Sequence, residues 1–304
     1  MKTLKLLSVI LLLGSRQVTS FCQERLPVID MHMHIGAPLD LPAGAPAPCL
    51  PYPCIREGKA TANANENLKR TLEVMDHYNI VLGFLSDLDL NLVREWEKAA
   101  PGRFIISPFI VQPEKANPDE LRKELKAKRL GGIGEIGSQL VGIAPNDARL
   151  EPYFALAEEF DVPVLIHMEG IGPPLTTFRS VAGSPILLEE VLVKHPKLRI
   201  FVENTGYPYL DDMIAMMYQY PQLYGDVSTI TWIIPQSAFY DYLERLIKAG
   251  LGKRIMFGSD QMRWPEMIGK GIEAIEKADF LTAEQKRDIL YNNAATFLHM
   301  DEKK

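Results

Sequence analysis

Five side chains in this sequence have the types and placement for metal chemistry. Asp30-Met31-His32-Met33-His34 follows Leu26-Pro27-Val28-Ile29, an apolar run that reads as a strand. Residues i and i+2 of a strand point the same way. His32 and His34 therefore project side by side and can share an ion, because neutral imidazole is the commonest protein ligand for zinc and similar metals. Glu135, His167 and Asp260 each stand at the end of a later apolar run. Three histidines and an aspartate suit a divalent cation; zinc is the expected ion, with manganese the alternative. Such an ion polarises a carbonyl oxygen and acidifies water. Asp260 is then expected either to touch the metal or to manage the proton of that water. Glu135 is a strand-end carboxylate at the same mouth, the alternative being a structural carboxylate of the wall.

The other candidates are less specific. Glu203 and Asn204 close one apolar run, and strand alternation lets only one of the two face inward. Asn204 is a candidate to hydrogen-bond substrate or water. Arg179 and Arg263 follow His167 and Asp260 in the chain, and either can take a substrate carboxylate bidentately; surface arginines are the plainer reading. Tyr207, Tyr209 and Trp232 can line an apolar pocket or simply pack. His77, His195 and His299 lie near helix ends, where a cation favours the helix dipole and needs no further role.

The elements that position these groups alternate regularly. Strand candidates are the run ending at His34, then 80–85, 104–110, 131–136, 162–167, 198–204, 223–228 and 254–260. Helix candidates are 66–78, 90–100, a segment from the Asn117 cap to about 130, 150–160, 185–195, 210–220, 235–249, 265–277 and 282–298. Asn117-Pro118-Asp119-Glu120 combines a cap, a first-turn proline and first-turn acids. Thr282 to Gln285 is a capping box. Near-continuous apolar strands between helices mean a parallel sheet covered on both faces. Eight such units predict an α/β fold of the (β/α)8 TIM-barrel type, whose chemistry sits at the carboxyl ends of the strands. No glycine-rich phosphate loop follows the first strand, which argues against a dinucleotide fold.

The chain has 304 residues, 47% hydrophobic and 24% charged, with a formal net charge of −6. That balance excludes a basic footprint for nucleic acid and leaves ample core. Lys2 and Lys5 precede the apolar run 6–13, and Val18-Thr19-Ser20 offers small residues for cleavage. Residues 1–20 therefore read as a secretory signal peptide, too short for a stable membrane span. The expected mature domain is 21–304, secreted or periplasmic. In that oxidising setting Cys49 and Cys54 can close a small loop or remain free thiols. Residues 36–65, rich in Pro, Ala and Gly, form a long loop after the histidine-bearing strand, placed to cover a site there.

Taken in order, Val28 to His34, Val164-Leu165-Ile166-His167, His195-Pro196-Lys197-Leu198, Tyr220-Pro221-Gln222-Leu223-Tyr224, Phe257-Gly258-Ser259-Asp260 and Asn292-Asn293-Ala294 resemble the amidohydrolase superfamily. The likeness is to its amidohydrolase-related branch, which includes aminocarboxymuconate-semialdehyde decarboxylase, and it spans roughly residues 27–299. The resemblance implies metal ligation by His32, His34 and His167, with Asp260 as ligand or proton shuttle, and it suggests a homodimer. It departs at strand six, where Asn204 stands in place of a histidine, so one ion is expected. By the same likeness Glu135 matches the strand-four carboxylate that bridges two ions in dinuclear relatives; it is expected as a ligand or close neighbour of the one ion, with a two-metal site as the alternative. The leading expectation is a metal-dependent hydrolase of a small molecule with an amide, lactone or ester-type carbonyl. A non-oxidative decarboxylase of the same branch is the alternative, and a binding barrel with a decayed site is the third reading.

Overall fold

A computed structural model describes residues 25–36, 60–172 and 175–300. The signal segment, Cys49 and Cys54, and most of the loop after His34 lie outside the described residues. The strands are β1 (Val28–His34), β2 (Ile80–Asp87), β3 (Phe104–Pro108), β4 (Ile133–Ile136), β5 (Val164–Ile166), β6 (Ile200–Val202), β7 (Leu223–Asp226) and β8 (Ile255–Met256). All pair in parallel, as β1-β2-β3 and as β4 through β8. Two seams close the ring. Ile110 N–H donates to Glu135 O (2.7 Å) and Gly131 N–H to Ile106 O (2.9 Å), joining β3 to β4. Met31 N–H donates to Phe257 O at 2.9 Å, joining β8 to β1. The result is the expected (β/α)8 barrel.

The helices are α1 (Ala64–His77), α2 (Leu90–Ala99), α3 (Pro118–Lys126), α4 (Glu151–Phe160), α5 (Glu189–Lys194), α6 (Leu210–Gln219), α7 (Ile230–Ile233), α8 (Gln236–Lys248), α9 (Glu266–Lys277), α10 (Ala283–Arg287) and α11 (Asn293–Phe297). Side-chain caps start several of them. Asn63, Asp89 and Asn117 accept from first-turn N–H groups, and Thr282 and Gln285 form the reciprocal capping box. The elements differ from expectation in three places. β5, β6 and β8 are shorter than their apolar runs; after β6 and β8 the chain turns sharply, with φ of 50°, 49° and 43° at Asn204, Thr205 and Asp260. α7 is an extra short helix inside the loop after β7. The closing helix is interrupted by a π-turn at Asp288–Asn292.

Two apolar layers flank the strands. Ile29, Met31, Phe84, Leu165, Phe201 and Met256 fill the interior, with Phe297 of α11 beneath them. Phe201 meets Phe84 and Phe297 edge-to-face at 5.7 and 5.5 Å. The larger layer lies between barrel and helices. β1 switches register between Asp30 and Met33. Before this irregularity Ile29 and Met31 point inward; after it His32 and His34 do, while Met33 and Ile35 join the outer layer. A bulge that re-aims side chains beside a site is a common device.

β8 has only two residues and is braced from below. Asn293 Nδ2 donates to Ile255 O (2.7 Å) and Gly252 O (2.8 Å). Asn293→Leu strands both carbonyls and should destabilise the protein by about 1–3 kcal/mol, read as a lower urea midpoint at unchanged slope. His195 is likewise structural, buried between Glu158 (2.9 Å) and Glu151 (3.2 Å) of α4.

Candidate metal centre

The strand ends bring His32, His34, Glu135, His167 and Asp260 together at the carboxyl mouth of the barrel, and all five are buried. Ring orientation is set from behind. His34 Nδ1 lies 2.8 Å from Ser86 O. A carbonyl only accepts, so Nδ1 carries the proton and Nε2 presents a lone pair. His32 Nδ1 lies 3.2 Å from Asp226 Oδ2, which fixes the same tautomer. The two Nε2 atoms then face each other at 3.1 Å. Two lone pairs at that distance require a shared proton or a cation between them.

Around them stand Glu135 Oε2, 3.2 Å from His32 Nε2 and 2.7 Å from His34 Nε2, and Asp260 Oδ1, 3.9 and 3.5 Å from the same atoms. Zinc bonds of about 2.0–2.2 Å in tetrahedral array require donor–donor separations of about 3.3–3.6 Å. The observed separations bracket that range, and Asp260 Oδ1 is buried without a hydrogen-bond partner. The donor set fits a divalent ion.

His167 completes the cluster from the other side. Its Nδ1 lies 3.0 Å from Glu135 Oε1 and in close contact with Glu203 Oε2, and its Nε2 is 3.7 Å from Glu169 Oε1. Glu203 therefore faces inward, as parity with interior Phe201 dictates. Asn204 is differently placed from the expectation that it meets substrate. It is fully buried and both ends of its amide are engaged: Nδ2 donates to Glu169 Oε2 (2.8 Å), Thr229 Oγ1 (2.8 Å) and Glu203 Oε1 (3.3 Å), while Oδ1 accepts from Ser228 and Ile230. It braces carboxylates. The structure does not bring the arginines to the cluster. Arg179 is exposed and donates to Thr176 O and Phe178 O, and Arg263 donates to Thr61 O.

Charges in the cluster are strongly coupled. Burial opposes charge on His32 and His167, yet neighbouring carboxylates (Asp260 and Asp226 for His32, Glu203 and Glu135 for His167) hold both well above the ordinary imidazole pKa. Burial opposes Glu135 ionisation too, but His167, His32 and His34 hold it well below the usual carboxylate range. Burial and the charge of Glu203 push Glu169 well up. Burial pushes Asp260 up to about 7, against the pull of His32 and His34.

Two predictions follow from this electrostatics. Against the cost of burial, Glu135 raises His34 to about 9, so the metal-free protein carries this imidazolium at neutral pH. A raised folded-state pKa contributes stability below about 6.5 that is lost as pH rises through about 9. Metal needs the neutral ring, so uptake should release protons. Affinity should then tighten about tenfold per pH unit for each proton displaced over this window, as isothermal titration in two buffers of different ionisation enthalpy can show. Separately, Asp226→Asn removes the carboxylate that orients His32 and should weaken metal binding about 10–100-fold without unfolding the barrel. An unchanged dissociation constant would deny Asp226 that positioning role.

The amidohydrolase family profile matches residues 29–300, nearly the whole described chain. The chain belongs to the amidohydrolase family. No curated protein matches this amidohydrolase in sequence. Solved structures share its fold. An uncharacterised TIM-barrel protein from Bordetella bronchiseptica is 19% identical, covering 91% of this chain and 100% of its own, with a TM-score of 0.68. A probable 2-pyrone-4,6-dicarboxylic acid hydrolase from Acinetobacter baumannii is 14% identical over 90% and 99%, TM-score 0.61. The 5-carboxyvanillate decarboxylase of Sphingomonas paucimobilis is 16% identical over 75% and 82%, TM-score 0.52. This amidohydrolase is thus an enzyme of the amidohydrolase type on a barrel that hydrolases and decarboxylases share. Among its described residues no helix is long and apolar enough to cross a membrane.

Glu203, left open by the sequence as inward or outward, faces the cluster, and Asp226 and Glu169 stand beside it as well. Glu203 and Asp226 carry a readable signal, since each stands two residues after an interior aromatic, Phe201 and Tyr224. Glu169 lies past the end of β5 and carries none.

Proposed function

We propose that this amidohydrolase is a metal-dependent hydrolase of a small molecule bearing a lactone, ester or amide carbonyl, with Asp260 as the proton-handling group. The observation that carries the reading is Asp260 itself. Its Oδ1 is buried, unpartnered and 3.5 Å from His34 Nε2. A carboxylate in that place can take a proton from water held beside the imidazoles. A divalent ion, with zinc the first choice and manganese the second, would be held by residues of the set His32, His34, His167, Glu135 and Asp260 and would supply Lewis acidity toward carbonyl and water. Asp260 takes a proton from the attacking water and returns it to the leaving group. Ser86 and Asp226 hold the imidazoles in register, and the walls keep bulk water from the reacting atoms. We also propose that the mature enzyme acts outside the cytosol after removal of residues 1–20; a full-length product retained in the cytosol would rule that out.

The test is a screen of metal-loaded protein over lactones, N-acyl amino acids, and aromatic and enoic acids. Acid release from a lactone or amide, dependent on metal, is the expected result. Carbon dioxide release from the acids, with no hydrolysis, would replace the hydrolase with a decarboxylase.

A further inference from the structure

Two buried amides lie where the end of β1 meets the turn after β8. β8 ends at Met256, while β1 runs on to His34. Past β8 the backbone N–H groups of Ser259 and Asp260 still reach β1, donating to His32 O at 3.2 and 2.7 Å. At His34 a side chain takes over. Gln261 Oε1 accepts from His34 N–H (3.3 Å), and Gln261 Nε2 donates to His34 O (2.6 Å). This is the two-point pairing that a neighbouring strand would otherwise give. Gln261 is fully buried. It stands between Asp260 and Met262, whose φ values of 43° and 45° mark a sharp turn. Asn67 of α1 ties the same two segments one residue farther on. Its Nδ2 donates to Ile35 O and, at 2.9 Å, to Met262 O. Its Oδ1 is buried with no partner, so the amide serves those two carbonyls at some cost to stability. Gly36, at φ +62°, lies against the same turn: a Cβ there would be 2.6 Å from Met262 C and from Arg263 Cγ.

We propose that Gln261 and Asn67 are positioning residues of the metal centre, a clasp of two amides that fixes Asp260 against His34. This rests on the reading of His34 and Asp260 as residues of the metal site. Asp260 Oδ1 stands 3.5 Å from His34 Nε2 and has no hydrogen bond of its own. Its distance from the imidazole is therefore set by backbone placement. Asp260 N–H is tied to His32 O, and the next residue is tied to His34 itself. Ser86 O orients the His34 ring, and Gln261 holds the backbone that carries it. Such sites tolerate displacements of only about 0.5 Å, so a loosened clasp acts on the ion before it acts on the barrel.

The test uses full-length mature protein stripped with chelator and titrated with cobalt(II), whose visible absorption reports the geometry of its ligands. Gln261→Met and Asn67→Leu keep the bulk of each side chain and lose the paired bonds. Each should weaken cobalt binding about 10–100-fold and alter the absorption bands of the bound ion. Asn293→Leu, which loosens β8 from below, is the control. It should lower the urea midpoint and leave the cobalt dissociation constant and spectrum as in the wild type. Wild-type affinity and spectrum in both clasp variants would overturn the proposal while leaving the hydrolase reading intact, as would an equal change in Asn293→Leu. Should Gln261→Met fail to fold, Asn67→Leu decides alone. A wild type that binds no cobalt would sink the metal reading and the clasp with it.

Discussion

Asp260→Asn should lower kcat by about 10²–10⁴-fold on whichever substrate the screen identifies, while the folded barrel persists. The amide matches the carboxylate in shape but cannot accept the proton of an attacking water. The same change should raise the melting temperature of the chelator-stripped protein. Burial lifts Asp260 to about 7 from an ordinary value near 3.8, so ionising it costs stability. For a raised carboxyl that cost sets in above about pH 3.8 and is complete above about pH 7. Removing the charge at pH 8 therefore stabilises the empty protein as it disables the enzyme, a trade often met at active sites. Melting curves and kcat at saturating metal check both halves. Full activity would remove Asp260 from proton handling, and an unchanged melting point would mean that its burial carries no penalty.

Glu135→Gln should weaken metal binding about 10²–10⁴-fold, the equivalent of the about 3–5 kcal/mol lost when one partner of a buried charge cluster is removed. Among the described residues no other carboxylate touches His32, His34 and His167 together. The backbone beneath it allows no slack. Gly134 has φ +103°, and a Cβ there would lie 2.2 Å from Leu165 O of the neighbouring strand. Competition against a metal-sensitive dye would measure the loss; an affinity within threefold of wild type would mean that the histidines and Asp260 suffice.

Much of this was open to reading in the chain, for identifiable reasons. β/α alternation shows because strands buried on both faces are apolar throughout, so each polar residue that ends one stands out. His32, His34, Glu135, His167 and Asp260 are visible on that ground. Glu203 is visible as a strand-end acid, but its inward aim follows only by counting in twos from Phe201, and Asp226 is found only by counting from Tyr224. The bulge in β1 is invisible: plain alternation puts His32 opposite Met31, yet both are inside. Asn204 misleads because its role depends on a φ of 50°. That turn carries its side chain off the strand-end face and into contact with Ser228, Thr229 and Ile230. Neither arginine could be ranked, since which way a long side chain on a loop bends is decided by the carbonyls within its reach.

The aromatic stack of Phe84, Phe201 and Phe297 has a kinetic meaning. It makes the barrel a blind tube. Whatever is bound at the histidines arrives and leaves through the same doorway, so a departing product obstructs the next arrival. Two-ended traffic, with its continuous flow, is ruled out by three rings at the floor.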